Sequence, residues 1–345
     1  PLVHLRSNSI LPEGEALFSS WNFFSRITVE REREWRGWRL SDRYQGPSPE
    51  YCRIRQDGYA PAFIAKFDGD FSKVEHLRYD ITSLPYRILD PGKVLIIGSG
   101  GGRDILTAKL YGVPEVHGVE LNPITVNEVM RGAFREYSGN VYGLENVKIF
   151  VDNGRTYVQS ASETYDLIYT SLADTLLGNS QGAFVLSENH LYTTEACEAY
   201  LNRLTPDGVG CFLYSALDDG HLLPRLVGAV DGALARLGIA DTKPHFLAIM
   251  TPDPPDTRDE GVCLMFSKSP LPEAVITRAR NACEDLGFTL AWPVAASAPA
   301  AENPWAQEIA AIVDPKTRVA YIAQSEFDIT PLVDERPYPC YSTKP

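Results

Sequence analysis

Lys93-Val-Leu-Ile-Ile-Gly98-Ser-Gly-Gly-Gly-Arg-Asp104 is an apolar run that breaks into glycines just before a helical pattern opens at Ile105. Val94 to Ile97 has the character of a strand buried on both faces. Gly98, Gly100, Gly101 and Gly102 allow positive φ and carry no Cβ. A ligand can therefore approach the backbone where the helix N-terminus offers free N–H groups. A nucleotide site is the expectation, and its weight rests on what the following strand ends carry.

The chain has 345 residues, 44% hydrophobic and 22% charged, enough for a sizeable core and for two domains or one domain with an extension. The formal net charge of −13 and the absence of a concentrated basic patch argue against a nucleic-acid or anionic-membrane partner. Arg31 to Arg39 is a mixed Arg/Glu/Trp run and reads as a solvated hairpin. No apolar window reaches transmembrane length and no signal-peptide pattern opens the chain, so membrane insertion is not expected. Pro1 without a preceding Met reads as a trimmed or partial chain. The six cysteines (Cys52, Cys197, Cys211, Cys263, Cys283, Cys340) show neither CxxC nor metal spacing. They read as reduced thiols of a cytoplasmic protein, with no metal expected.

Three regions follow from the pattern. Residues 1–90 hold short β-like runs (Phe23 to Glu30, Tyr59 to Phe67) between turn signals at Gly46-Pro47, Asp57-Gly58 and Asp68-Gly69-Asp70, then a short helix over Leu77 to Leu89. Residues 91–269 alternate strand and helix. Strands are predicted at Val94–Ile97, Glu115–Glu120, Asn146–Val151, Tyr165–Thr170, Gly208–Ser215, Phe246–Met250 and Val262–Ser267. Helices are predicted at Asp104–Tyr111, Pro123–Glu136, Thr194–Leu204 and Pro224–Gly238. Residues 270–345 form an α/β extension, with a helix over Pro272–Leu286 and a proline-bearing tail from Asp328 packed on the core. The fold class is thus α/β, a doubly wound, mostly parallel, Rossmann-like sheet preceded by a small β region. Ligands of such sheets sit at the strand carboxyl ends.

Those ends carry matching chemistry in order. After the glycine loop, the second strand ends at Glu120, placed to accept hydrogen bonds from a ribose diol. The third ends at Asp152-Asn153-Gly154, where a carboxylate or amide could meet an adenine amino group, though both residues could instead serve a turn or helix cap. The fourth ends in Tyr169-Thr-Ser171-Leu-Ala-Asp174 at the centre of the crevice, and Asp174 could equally cap the next helix.

This series resembles the class I S-adenosylmethionine (SAM) enzymes, with their class I methyltransferase fold, and more narrowly the spermidine synthase-like group. The narrower likeness rests on the Gly98 loop, on Asp152-Asn-Gly154-Arg, on Tyr165-Asp-Leu-Ile with Asp174 downstream, and on the leading β region. Ser20-Trp-Asn-Phe-Phe-Ser-Arg-Ile27, Tyr79-Asp-Ile-Thr-Ser-Leu-Pro85, Ser187-Glu-Asn-His-Leu-Tyr-Thr193 and Thr330-Pro-Leu-Val-Asp-Glu-Arg-Pro337 resemble bacterial members, here without their membrane segments. The resemblance implies an adenosyl ligand bound by Gly98, Gly100, Gly101, Gly102, Arg103, Asp104, Glu120, Asp152 and Asn153. It further implies a small-molecule substrate and, in line with relatives that have an added β region, a homodimer.

Two positions depart from that group. The polyamine aminopropyltransferases carry an aspartate where this chain has Gly101, pairing the ammonium of decarboxylated SAM. Its loss favours intact SAM, whose carboxylate would meet a like charge there at ~4 kcal/mol for an effective dielectric of ~20, and Arg103 could pair that carboxylate. Where those enzymes hold a catalytic aspartate, this chain has Ser171, which cannot deprotonate an alkylammonium unaided. The expected reaction is therefore alkyl transfer, or cyclisation of SAM by its own α-amine to azetidine-2-carboxylate, releasing 5′-methylthioadenosine. Tyr79, Asp80, Tyr169, Ser171 and Asp174 are expected around the reacting centre. The alternatives are a methyltransferase releasing S-adenosylhomocysteine, a polyamine aminopropyltransferase, and a non-catalytic protein that binds SAM or methylthioadenosine.

Overall fold

The structure is a computed structural model, and it describes residues 16–32, 39–57, 59–172, 188–215, 221–252, 261–294, 303–339 and 343–344. Among these residues there are two sheets. The first is antiparallel, in the order β1 (Phe18–Trp21), β2 (Arg26–Glu32), β3 (Tyr51–Gln56), β4 (Tyr59–Ala65). Along β2, Ile27 and Val29 are buried while their neighbours are not, the period of two that lets one face pack and the other meet water.

The second sheet has eight strands: β5 (Lys93–Ile97), β6 (Glu115–Glu120), β7 (Val147–Val151), β8 (Tyr165–Ser171), β9 (Leu204–Ser215), β10 (Phe246–Met250), β11 (Gly261–Ser267) and β12 (Thr289–Trp292). Their spatial order is β12-β10-β11-β9-β8-β5-β6-β7. The pairings from β7 to β9 are parallel, and β11, β10 and β12 complete the sheet antiparallel. The chain runs outward from β5 through β6 to β7, then returns to place β8 on β5's other side. That reversal opens a crevice at the carboxyl end of β5.

Both faces are covered, which is why the central strands are apolar at consecutive positions rather than alternately. Val94, Ile96, Leu167, Tyr169 and Cys211 pack on one side with α1 (Leu84–Ile88) and α6 (Glu273–Leu286). Leu95, Ile97, Ile168 and Phe212 pack on the other with α4 (Thr194–Arg203), α5 (Leu222–Arg236) and α7 (Pro304–Val313). The remaining helices are α2 (Arg103–Leu110), α3 (Gly154–Ser160) and α8 (Pro315–Gln324). Cys52, Cys197, Cys211, Cys263 and Cys283 are buried free thiols. Among the described residues no group of His, Cys, Asp and Glu could hold a metal ion, and no helix is long and apolar enough to cross a membrane.

Two predicted helices differ from what forms. The stretch 77–89 is divided between 3₁₀ turns over Phe71–Arg78 and Ile81–Ser83 and the short α1. Asp80 interrupts it, because its carboxylate accepts the Thr82 N–H and so starts a new turn. Ile124–Ala133 is widened to a π-helix, with Gly132 at φ −108° and ψ −110° ending the regular winding. Strand β12 extends the main sheet beyond residue 269 by pairing with β10.

A partly buried acid, Glu308, contributes a pH dependence to stability. Burial pushes the Glu308 carboxyl on α7 up to about 7 from an ordinary 4.5. Tyr321 Oη donates to its Oε1 at 3.1 Å, while Oε2 is buried with no partner among the described residues. A raised folded-state pKa favours the protonated form. The stabilisation is therefore complete below pH 4.5 and is lost as pH rises through 7. Glu308→Gln should flatten this dependence and recover on the order of 2–3 kcal/mol at pH 8, as read from urea midpoints between pH 5 and 8.

Candidate functional site

At the carboxyl ends of β5 to β8 lies a cleft of about 370 Å³. Gly98 and Gly100 form its floor, Glu120 ends β6 and Leu121 follows it, Asp152 to Arg155 follow β7, and Leu172 follows β8. Glu188 to Leu191 close one side, and Ile27, Ile54, Gln56, Pro61 and Ala62 of the antiparallel sheet close the other.

Glu120 is the best-held polar group there. Gly100 N–H donates to its Oε2 and Asn122 N–H to its Oε1, both at 2.9 Å. Burial raises the Glu120 carboxyl above its ordinary range, and those N–H groups oppose the rise. Each oxygen keeps a lone pair for a ligand. The loop itself is pinned by Tyr142 Oη, which donates to the Gly100 carbonyl at 2.7 Å. Gly98, Gly100 and Gly102 take φ of 82°, 47° and 80°, as the sequence pattern required.

Asn122 ties this strand end to the antiparallel sheet. Its Nδ2 donates to Ser25 Oγ at 2.9 Å, and Asn22 Nδ2 donates to its Oδ1 at 3.0 Å. At the β7 end Asn153 caps α3, its Oδ1 accepting from Arg155 N–H at 2.9 Å and Thr156 N–H at 3.2 Å. Asp152 Oδ1 accepts the Asn153 N–H at 2.7 Å. Leu172 has φ 47°, a left-handed conformation uncommon for a residue with a branched side chain and often found at functional strand ends.

The remaining expected residues divide into two groups. Gly101 and Gly102 do not line the cleft. A Cβ at Gly101 would lie 2.2 Å from the Phe63 carbonyl oxygen, so that position faces β4 and not the cleft, and Gly102 begins α2 as its left-handed cap. Arg103, Asp104, Asp80, Tyr169 and Ser171 are gathered instead into a buried polar cluster adjoining Leu172. Arg103 Nε donates to Asp104 Oδ1 at 3.0 Å and its Nη2 to Ser171 Oγ at 2.8 Å. Tyr169 Oη reaches the same Asp104 oxygen at 3.5 Å.

Burial would depress the Arg103 pKa, but the Asp104 and Asp80 carboxylates more than reverse it. Burial pushes Asp80 up to about 6, with Arg103 opposing. Tyr79 stands apart, its ring 5.4 Å from that of Tyr44. Asp174 lies outside the described residues. Asp166, on the same predicted strand, sits at the opposite end of the sheet, where its Oδ2 accepts the Gly92 and Lys93 N–H groups.

Of the residues expected from the strand ends, Gly98, Gly100, Glu120, Asp152 and Asn153 line this cleft. The strand-end logic misses Arg155, Leu172, the 188–191 wall and the contribution of β2 to β4. The Asp152-Asn-Gly-Arg155 and Ser187-to-Thr193 motifs were the available signals for two of these.

Residues 77–216 match the model of the "Spermine/spermidine synthase domain" family. A polyamine aminopropyltransferase 2 of Aquifex aeolicus is 25% identical over 190 residues, covering 53% of this chain and 36% of the relative. A polyamine aminopropyltransferase of Korarchaeum cryptofilum is 35% identical over 85 residues, covering 25% of this chain and 26% of the relative. The matches thus span only between about a quarter and a half of the curated relatives' lengths. Among solved structures, a probable spermidine synthase from Corynebacterium glutamicum is 18% identical with a TM-score of 0.47, covering 78% of this chain and 86% of that one.

The overlap at Gly101 is with backbone, which no side-chain rotation relieves. Gly101→Ala, and more so Gly101→Asp, should destabilise the protein by about 3 kcal/mol, seen as a lower urea midpoint. Wild-type stability in Gly101→Ala would mean that β4 does not press on the loop.

Proposed function

We propose that this chain, similar over residues 77–216 to the spermine/spermidine synthase domain, is a transferase that takes intact SAM in the cleft and releases 5′-methylthioadenosine. The observation that carries the reading is the Glu120 carboxylate, fixed through both oxygens at the end of β6, with Asp152 at the end of β7 on the same cleft. Two acceptors on successive parallel strand ends suit a ribose diol and an exocyclic amine.

What favours intact SAM over the decarboxylated donor is that the glycine loop offers the cleft only Gly98 and Gly100, with no carboxylate to hold a purely cationic tail. Gly101 turns toward β4 and Arg103 is paired with Asp104 and Ser171, so neither decides between the donors.

In the proposed reaction an amine lone pair attacks the carbon γ to the amino acid centre. The C–S bond breaks, and its electron pair stays on sulfur as the neutral thioether. The nucleophile must be a neutral amine, so an ammonium proton leaves first. Ser171 is unsuited to take it, because its oxygen already accepts from Arg103. Asp80, whose carboxyl burial raises to about 6, is the carboxylate of the cluster suited to that role. For a reaction on SAM alone, the α-amine of SAM itself is the nearest nucleophile, and holding the chain folded supplies much of the rate. A second reading, aminopropyl transfer to a diamine, is favoured by the names of the relatives.

Purified protein incubated with SAM alone should yield methylthioadenosine by mass spectrometry. S-adenosylhomocysteine formed only with an added acceptor would mean methyl transfer, and spermidine from decarboxylated SAM plus putrescine would establish the second reading. Binding without turnover would mark a non-catalytic SAM-binding protein. Glu120→Gln should weaken SAM binding roughly tenfold. Wild-type affinity should also fall as pH drops through Glu120's raised pKa, because the protonated acid no longer accepts from both ribose hydroxyls. A flat pH profile by calorimetry would remove Glu120 from the site.

A further inference from the structure

The 188–191 wall of the cleft does not stand on its own, since it is stitched to a segment almost 150 residues later in the chain. Asn189 N–H donates to the Pro337 carbonyl at 2.7 Å, and Thr194 N–H to the Leu332 carbonyl at 2.8 Å. Arg225 on α5 holds the strap from behind, its Nη1 donating to the Tyr338 carbonyl at 2.8 Å and the Pro339 carbonyl at 3.0 Å.

At the middle of the strap is Asp334. Its Oδ1 accepts from Thr193 Oγ1 at 2.6 Å and lies 3.6 Å from His190 Nδ1, while its Oδ2 accepts from Arg155 Nη2 at 3.2 Å. Its own N–H donates to Glu195 Oε2 at 2.9 Å. Arg155 and His190 are on separate walls of the cleft, one following β7 and the other preceding α4. A single carboxylate thus joins the two walls without itself lining the cleft.

We infer that Asp334 is a positioning residue that sets the separation of the Asp152–Arg155 and Glu188–Leu191 walls, so that the carboxyl-terminal strap determines how tightly the cleft grips its ligand. Charge-assisted bonds are the strong ones, and the Arg155 guanidinium and the Thr193 hydroxyl are both held by this one group. Loss of the charge frees each wall to move alone. The choice of probe rests on the proposed adenosyl ligand; the positioning role does not.

The test compares Asp334→Asn with Arg336→Gln. Arg336 pairs Asp328 within the strap and reaches neither wall. Two readouts are taken: hydrogen exchange of segments 153–158 and 188–194 in the ligand-free protein, and calorimetric affinity for methylthioadenosine. Asp334→Asn should speed exchange in both segments and weaken affinity roughly tenfold, the scale of one charge-assisted hydrogen bond. Arg336→Gln should lower the Tm while leaving both readouts close to wild type. Unchanged exchange in Asp334→Asn, or equal effects of the two variants, would overturn the inference. If the wild type binds neither methylthioadenosine nor SAM, the proposed function fails, and exchange alone decides the role of Asp334.

Discussion

The backbone of β4 touches the glycine loop where a side chain would otherwise project. With the Phe63 carbonyl 2.2 Å from a Cβ position at residue 101, the antiparallel sheet and the doubly wound sheet approach as closely as two backbones can. The cleft depends on that approach. Its floor is Gly98 and Gly100, and its far wall is Ile27, Ile54, Gln56, Pro61 and Ala62, so a bulkier loop would part the two sheets and open the cleft. The asparagines at 22 and 122 then fix the angle between them by a hydrogen bond across 100 residues of sequence.

The absence of an acid at position 101 is thus a packing requirement of the fold. Residue types alone suggested a missing charge partner for a cationic tail, but the position faces β4 and not the cleft. The neighbouring Arg103 has likewise become part of the interior. It is bonded to Asp104 and Ser171 and electrostatically attracted to Asp80, a set in which two carboxylates share one guanidinium. Burial raises the Asp80 carboxyl to about 6, the Asp104 charge adds to the rise, and Arg103 opposes it.

Much of the main sheet was legible because doubly buried strands such as Val94–Ile97 and Tyr165–Thr170 are runs of apolar residues bounded by turns. The strand-end rule then converted their order into Gly98, Gly100, Glu120 and Asp152. What was not legible depends on contacts between distant segments. No local pattern says that Ile27 and Ile54 would wall a cleft built mainly from residues 98–191, or that Arg103 would turn inward to Ser171. The helices over 77–89 and 123–136 were misjudged because Asp80 and Gly132 act on the backbone, through a side-chain cap and an irregular φ/ψ, which apolar periodicity does not register.

The strap also bears on how the protein is made. Residues 98–172 supply most of the cleft early in synthesis, but the segment that joins its two walls is held by carbonyls as late as Pro339. A chain emerging from the ribosome can form the parallel sheet and still lack a finished ligand grip until the segment through Pro339 is free. Domains fold largely as they appear, and long-range closures come last. Ligand binding would then report on docking of the strap, with a molecule whose strap is not yet in place compact but without its full grip on a ligand.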